Sequence, residues 1–385
     1  MNFLNFLKDL YNRKKLIRLH KPWSIRSYDL RREIALFWDT PAYMPENSNK
    51  EQYEQLVAVN GFGASGSSAV TDFLAEFSEI TALGGAYSFS NPNRKDNQYE
   101  CTFVLENGSI LSLEENIYHS MLKNPISRKA ALEFSIYILR NYHSNIYIYD
   151  EYYLQRSKKF LFDLIEHHWR YSLKTWYIPC VEFKYTPPRL QKRILIDDPL
   201  YTQIVDVLWK KIDKKDFRKL AKEYIKDFLK HIPSKKFLLC DQLIIGYEYK
   251  HNQEFLDDYF DNLKLIFTWR DPRDQYATFR NRHMDMRVQT PEAFIEFYKR
   301  SMSGLLEVKH ENFLLIRFEE LVLNYDKTTK EIIDFLGLDL TKHTKKFEFF
   351  DPKVSIKKIG SYKTYHDQEA IKIIERELSE YCWNK

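Results

Sequence analysis

The chain has 385 residues, of which 44% are hydrophobic and 16% aromatic, enough to bury one large core and a second helical lobe. Its net charge of +5 suits an anionic ligand but is too small to argue for nucleic-acid binding. The four cysteines, Cys101, Cys180, Cys240 and Cys382, are scattered and have no histidine at a metal-binding spacing, so they suggest neither a disulfide framework nor a zinc site and fit a reducing compartment. No run approaches the roughly 20 apolar residues that cross a bilayer, and the start of the chain has no apolar signal core. A cytoplasmic protein is expected.

Residues 1–50 read as an N-terminal helical segment. Phe3, Leu4, Phe6, Leu7, Leu10 and Tyr11 stand beside the basic run Arg13 to Lys15. The pattern fits an ordinary amphipathic helix packed on the protein, or peripheral contact with an anionic membrane surface. Residues 51–385 show no internal repeat and read as one domain. Its first clear strand is Gln55 to Asn60, an apolar run of the kind a buried parallel strand produces. The strand runs into Gly61, Phe62, Gly63, Ala64, Ser65, Gly66, Ser67 and Ser68, and helical spacing follows through Val70, Phe73, Leu74 and Phe77. From about 125 to 236 the pattern turns helical, rich in lysine and tyrosine, and broken by Pro179, Pro187 and Pro188. This stretch is read as an insertion on the acceptor side.

A second strand is expected at Lys264 to Trp269, ending in Arg270, with a helix from about Gln275. A third, Phe313 to Arg317, precedes an acidic helix start at Glu319 and Glu320 and an amphipathic helix from Thr328 to Leu336. Strands alternating with helices predict an α/β fold, a three-layer parallel sheet with helices on both faces.

The segment GFGASGSS has the spacing of a phosphate-binding loop. Glycines let backbone amides turn toward an anion, and a helix starting near Ser67 adds its open N–H groups and the positive end of its dipole. The hydroxyls of Ser65, Ser67 and Ser68 add donors. An ATP-binding loop needs Lys at position 67, where this chain has Ser. Alone, the loop also fits a tight structural turn. Arg270 ends a strand and Thr278 follows eight residues later, so a guanidinium fork and a helix hydroxyl can converge on one phosphate. Alone, Arg270, Asp271, Arg273 and Asp274 also fit a surface ion-pair cluster of little consequence.

The loop together with LIFTWRDPRDQYATF resembles the family of sulfotransferases that use 3'-phosphoadenosine 5'-phosphosulfate (PAPS). The stretches Leu314 to Leu321, Phe335 to Leu338 and Ser355 to Lys363 resemble its later segments, so the likeness spans roughly residues 55–380. The resemblance implies a P-loop-NTPase-like fold in which Gly61 to Ser68 bind the 5'-phosphosulfate, and Arg270 and Thr278 the 3'-phosphate. Lys357, Lys358 and Gly360 would close over the same end of the cofactor, and no metal is implied. The family usually carries a lysine where this chain has Ala64; Arg94, Lys95, Lys357, Lys358 and Lys363 are candidates to replace its charge. Glu100 resembles the catalytic glutamate of the glycan-modifying branch and is the candidate general base, with His119 as fallback. The expected acceptor is a glycan or glycolipid, a preference that the abundant aromatics share. Two other readings remain at this stage: a catalytically impaired protein of the same fold that binds PAPS or a glycan, and a P-loop kinase or NTPase.

Overall fold

The computed structural model describes residues 33–34, 36–45, 52–83, 110–121, 126–127, 129–144, 150–172, 203–243, 257–282, 288 and 290–383. In chain order the elements begin with β1 (Gln55–Gly61), α1 (Ser67–Ala75), β2 (Ile80–Leu83), α2 (Ile110–Met121), β3 (Ile126–Ser127), α3 (Lys129–Ser144), α4 (Glu151–Asp163) and β4 (Ile165–Ser172). They continue with β5 (Gln203–Trp209), α5 (Lys214–His231), β6 (Phe237–Asp241), β7 (Leu263–Trp269), α6 (Pro272–Arg282) and α7 (Pro291–Met302). The chain closes with β8 (Phe313–Arg317), α8 (Phe318–Leu323), α9 (Tyr325–Leu336), α10 (Pro352–Ser355) and α11 (Gln368–Glu377). Two compact units result, one formed by 49–105 with 232–385, the other by 1–48 with 106–231.

In the first unit β1 is buried from Leu56 through Asn60, the continuous burial of a strand covered on both faces. It pairs in parallel with β6 on one side and β7 on the other, and β2 and β8 complete a sheet of order β2-β6-β1-β7-β8. Chain connections leave β1 toward one edge and β7 toward the other. Ligands of such sheets bind outside the carboxyl ends of the strands where the order reverses. That point lies between β1 and β7, where Gly61 is in register with Thr268.

Alternation along the strands sends side chains to two cores. Ile266 packs with Val57, Val59, Phe73, Leu74 and Phe77 and with Ile332 and Leu336, under α1 and α9. Its neighbour Phe267 faces the other way, among Tyr276, Phe279, Phe294, Tyr298 and Ile374 of α6, α7 and α11. Helices thus cover both faces, the three-layer α/β arrangement expected from the sequence. Observed strand limits fall within one residue of the expected ones.

The second unit holds α2 to α5 and also a three-stranded antiparallel sheet of order β3-β5-β4. Its core is aromatic: Phe160 stacks on Tyr224 at 4.8 Å, with Phe134, Phe217 and Phe228 buried. Asp150 caps α4 by accepting from Tyr153 N at 3.2 Å and bonds His231 at 2.8 Å, whose ring stacks on Tyr152. Lys158 is 1% exposed, with its Nζ donating to Thr40 Oγ1 at 2.7 Å and lying 5.3 and 5.4 Å from the rings of Phe37 and Phe162.

Burial lowers the Lys158 ammonium to about 8, against the pull of Glu151 and Asp39. In the unfolded chain the same amine binds its proton up to about 10.5. Between those values the unfolded state holds more protons, so Lys158 makes stability rise as pH climbs from about 8. Lys158→Met should flatten the rise between pH 8 and 9.5 and raise stability at pH 7 by about 1–2 kcal/mol, read by urea denaturation at each pH. An unchanged pH slope would show that Lys158 is not its source.

Candidate functional site

The loop between β1 and α1 is shaped by two glycines. A Cβ on Gly61 would lie 2.1 Å from Ser65 Oγ and 2.6 Å from Thr268 Oγ1, so only glycine lets β7 approach this closely. Gly66 has φ +98°, and a Cβ there would lie 2.4 Å from the ring of Phe318. It is the N-cap of α1 and has no side chain with which to cap it, so the first N–H groups of the helix, at Ser67 and Ser68, are offered outward. Ala64 also takes a left-handed conformation, φ +61°. Ser65 is 1% exposed and turns inward to Thr268, 3.3 Å away. Ser67 Oγ accepts from Gln242 Nε2 at 2.8 Å, while Gln275 Nε2 donates to the carbonyls of Phe62 at 3.2 Å and Gly63 at 2.6 Å.

Arg270 follows β7 and reaches across to this loop. Its Nη1 donates to Ala64 O and to Thr278 Oγ1, both at 3.4 Å, and its Nη2 donates to Lys358 O. The guanidinium lies 5.0 Å from the centre of the Phe318 ring, the same ring that Gly66 leaves room for. Tyr298 Oη donates to Arg270 O at 2.9 Å and fixes the strand end; burial holds this phenol well above its ordinary range. Four stretches distant in sequence, the loop, Arg270 to Thr278, Phe318 and Lys358, therefore meet at the carboxyl ends of β1 and β7.

The acidic partners are buried too. Arg270, Asp271, Arg273 and Asp274 are 5%, 1%, 3% and 1% exposed, so the surface ion-pair reading of this cluster is overturned. Asp274 lies 3.7 Å from Arg270 Nη2, and its carboxylate accepts from Gly360 N at 2.8 Å, Ser361 Oγ at 2.8 Å and Tyr362 N at 2.9 Å. Asp271 accepts from Arg273 N at 2.8 Å, Arg273 Nη2 at 2.7 Å and Trp383 N at 2.8 Å. Burial opposes the charge on Arg273, but its bonds to Asp271 outweigh this and hold it firmly protonated. Glu319 accepts from Asp271 N at 3.0 Å and Arg317 Nε at 3.2 Å, and burial raises its carboxyl above the usual range.

Of the residues expected at the site, Gly61 to Ser68, Arg270 and Thr278 come together. The backbone of Lys358 and Gly360 joins them, while the side chains of Lys357, Lys358 and Lys363 are exposed to solvent. Lys363 lies over Gly360, 3.7–3.9 Å from where a Cβ would stand. Arg94, Lys95 and Glu100 lie outside the described residues. His119 falls on α2, in the other compact unit, and its side chain likewise lies outside them. Four residues at the site carried no signal in isolation: Phe318, Gln275, Gln242 and Asp241. Asp241 ends β6 in register with Val59 and is 4% exposed, and strand alternation places it on the α1 face. An apolar run closing in Asp beside the loop strand, FLLCD, was the available clue to a strand-end carboxylate. Among the described residues, no group of three or more His, Cys, Asp or Glu could hold a metal ion.

Residues 57–342 match the profile described as "Sulfotransferase family". No curated protein matches the chain. Similar solved structures include the sulfotransferase domain of the Synechococcus PCC 7002 olefin synthase, 13% identical with TM-score 0.34, covering 90% of this chain and all of that one. The sulfotransferase STF9 from Mycobacterium avium is 11% identical with TM-score 0.33, covering 93% of this chain and 81% of that one. Retinol dehydratase in complex with androsterone and inactive cofactor PAP is 14% identical with TM-score 0.34, covering 88% and 82%.

Asp274→Ala would strip three donors of the Gly360–Tyr362 turn of their acceptor and leave Arg270 without its carboxylate. We expect a loss of about 3–5 kcal/mol in denaturant unfolding, together with faster tryptic cleavage after Lys357, Lys358 or Lys363. Cleavage at the wild-type rate would show that other contacts hold the segment.

Proposed function

The chain belongs to the sulfotransferase family, and from that premise we infer that it transfers a sulfuryl group from PAPS to a hydroxyl or amine of a glycan or glycolipid. The observation that carries the donor assignment is the pairing of two anion-binding features at the sheet's switch point. One is the uncapped start of α1 behind the glycine loop; the other is Arg270 bonded to both Ala64 and Thr278. A nucleotide with an anion at each end fits two such sites. The 3.4 Å bonds of Arg270 Nη1 are at the long limit for N–H···O and exchange readily for phosphate oxygens.

In this reading the N–H groups and hydroxyls of Ser67 and Ser68 hold the 5'-phosphosulfate, with Gly61 and Gly66 permitting the approach of the loop. Arg270 and Thr278 hold the 3'-phosphate, and the segment of Lys357, Lys358 and Gly360 covers it. The donor supplies an activated sulfuryl group, so the protein's work is positioning and the neutralising of charge on the leaving phosphate. The acceptor oxygen or nitrogen bonds to sulfur as the sulfur–phosphate oxygen bond breaks, leaving adenosine 3',5'-bisphosphate. Glu100 takes the acceptor's proton. Support for a glycan acceptor comes from the resemblance around Glu100 and from 27 Tyr, 27 Phe and 7 Trp, whose rings suit sugar faces.

Ala64 favours a second reading, a protein of this fold that binds the nucleotide but turns it over poorly. The kinase reading has Ser67 against it, where ATP loops carry Lys. Calorimetry with adenosine 3',5'-bisphosphate, set beside ATP with magnesium, separates the kinase reading from the other two, and turnover of PAPS separates those two from each other. We expect micromolar binding of the bisphosphate and none of ATP; ATP binding alone would overturn the assignment. Thr278→Val should weaken the bisphosphate about tenfold, while Glu100→Gln should spare its binding and cut turnover by about a hundredfold or more.

Position 64 is already in the left-handed region, so a longer side chain there meets no conformational demand that Ala does not. Ala64→Lys should raise turnover by about a hundredfold, the usual worth of one group aimed at developing charge. Unchanged turnover would mean that another cation already serves the leaving phosphate.

A further inference from the structure

The stretch from Asp339 to Lys363 carries seven lysines, at 342, 345, 346, 353, 357, 358 and 363, against three carboxylates, and so holds most of the chain's net charge of +5. All seven lysines are exposed. The same stretch, with the end of α8, also exposes large apolar side chains: Leu323 is 44% exposed, Leu340 66%, Phe347 47%, Val354 63% and Ile356 48%. Single exposed apolar residues are ordinary, whereas several interleaved with lysines over so short a stretch are not.

These residues are built on a fixed base. Glu76 is fully buried, and its Oε1 accepts from Phe349 N at 3.0 Å and Phe350 N at 2.9 Å, while its carbonyl accepts from Lys345 N at 3.2 Å. His343 Nε2 bonds the other carboxylate oxygen at 2.7 Å, and its ring stacks on Phe77 at 4.5 Å. Between those anchors Phe347 takes φ +65°, a conformation that favours glycine and that a bulky side chain rarely adopts. The turn therefore shows an aromatic ring to solvent in a strained conformation. The ring lies 5.3 Å from that of Tyr325, with the Lys346 ammonium 5.0 Å from the Phe347 ring and 5.8 Å from that of Tyr325. Tyr325 follows closely on Leu323, and α10, which carries Val354, packs on α8. Leu323, Phe347 and Val354 thus belong to one neighbourhood.

We propose that this face docks on an anionic lipid surface, with Phe347, Val354 and Leu323 entering the headgroup layer and Lys345, Lys346 and Lys353 pairing with acidic headgroups. Apolar anchors set among lysines match both demands of such a surface, whereas a nucleic acid would use the lysines and leave the aliphatic side chains idle. The proposal is independent of the nucleotide assignment.

The test is co-sedimentation of the full chain with phosphatidylcholine vesicles, with and without phosphatidylserine, across a salt series. Binding should require phosphatidylserine and weaken with salt. Lys345→Glu with Lys346→Glu should reduce it by about thirtyfold or more, two lysines being each worth about fivefold near such a surface. Phe347→Gly should weaken binding while relieving the backbone at φ +65°, so that its thermal unfolding is not earlier than wild type; this separates loss of docking from loss of fold. The lysine variant should still bind adenosine 3',5'-bisphosphate as the wild type does if the nucleotide reading holds, but vesicle binding is read on its own. Wild-type binding by both variants, no vesicle binding at all, or binding lost only on deleting residues 1–21 would overturn the proposal. So would retention by a DNA or RNA duplex in place of vesicles.

Discussion

The carboxylate of Asp274 is the constraint on which the architecture around the loop rests. It is almost fully buried, and it gathers two backbone N–H groups and a hydroxyl from the turn at Gly360 to Tyr362 while standing beside Arg270. A buried charge without partners is expensive, so this one obliges the C-terminal segment to come to it. Asp271 does the same for Trp383, and Glu319 for the backbone of Asp271. Three acidic side chains near one strand end thereby tie the last part of the chain to β7.

Arg270 then has two uses. As a structural group it bridges the loop carbonyl of Ala64 and the carbonyl of Lys358 over the Phe318 ring. As a cation held with little exposure and with long bonds at Nη1, it is oriented before any anion arrives, so binding need not spend side-chain entropy to place it. A lysine could not bridge in this way, because it lacks the planar fork that reaches several acceptors at once. The structural role also explains why Phe318 matters: it fills the space beneath the guanidinium that Gly66 leaves open.

What was legible in the sequence was local. The buried run of β1, the glycines at 61 and 66 and the eight-residue step from Arg270 to Thr278 each express their geometry within a few residues. The same holds for the alternation that divides Ile266 from Phe267. The contacts that assemble the site are distant: Gln242 to Ser67, Asp274 to Gly360, and Glu76 to Phe349 and Phe350 join residues that share no pattern. Ion pairs within RDPRD were visible as charges, but their burial was not, since burial is decided by what packs above them. The antiparallel sheet of β3, β5 and β4 was hidden for another reason. Lysine- and tyrosine-rich flanks read as helix, whereas β5, QIVDVLW, is rich in the β-branched and aromatic residues that fit a pleated surface.

The central place of β1 has a consequence for how the protein comes into being. Its two neighbours in the sheet, β6 and β7, begin at Phe237 and Leu263, about 180 and 200 residues further along the chain. During synthesis at roughly 5–20 residues per second, the central, buried strand of the sheet waits about 10–40 s with neither edge paired. Closing so long a loop is slow, and an unpaired apolar strand is a template for association with other chains. The protein's vulnerability to aggregation is thus concentrated before residue 269 is made, in the interval when its future centre is still an edge.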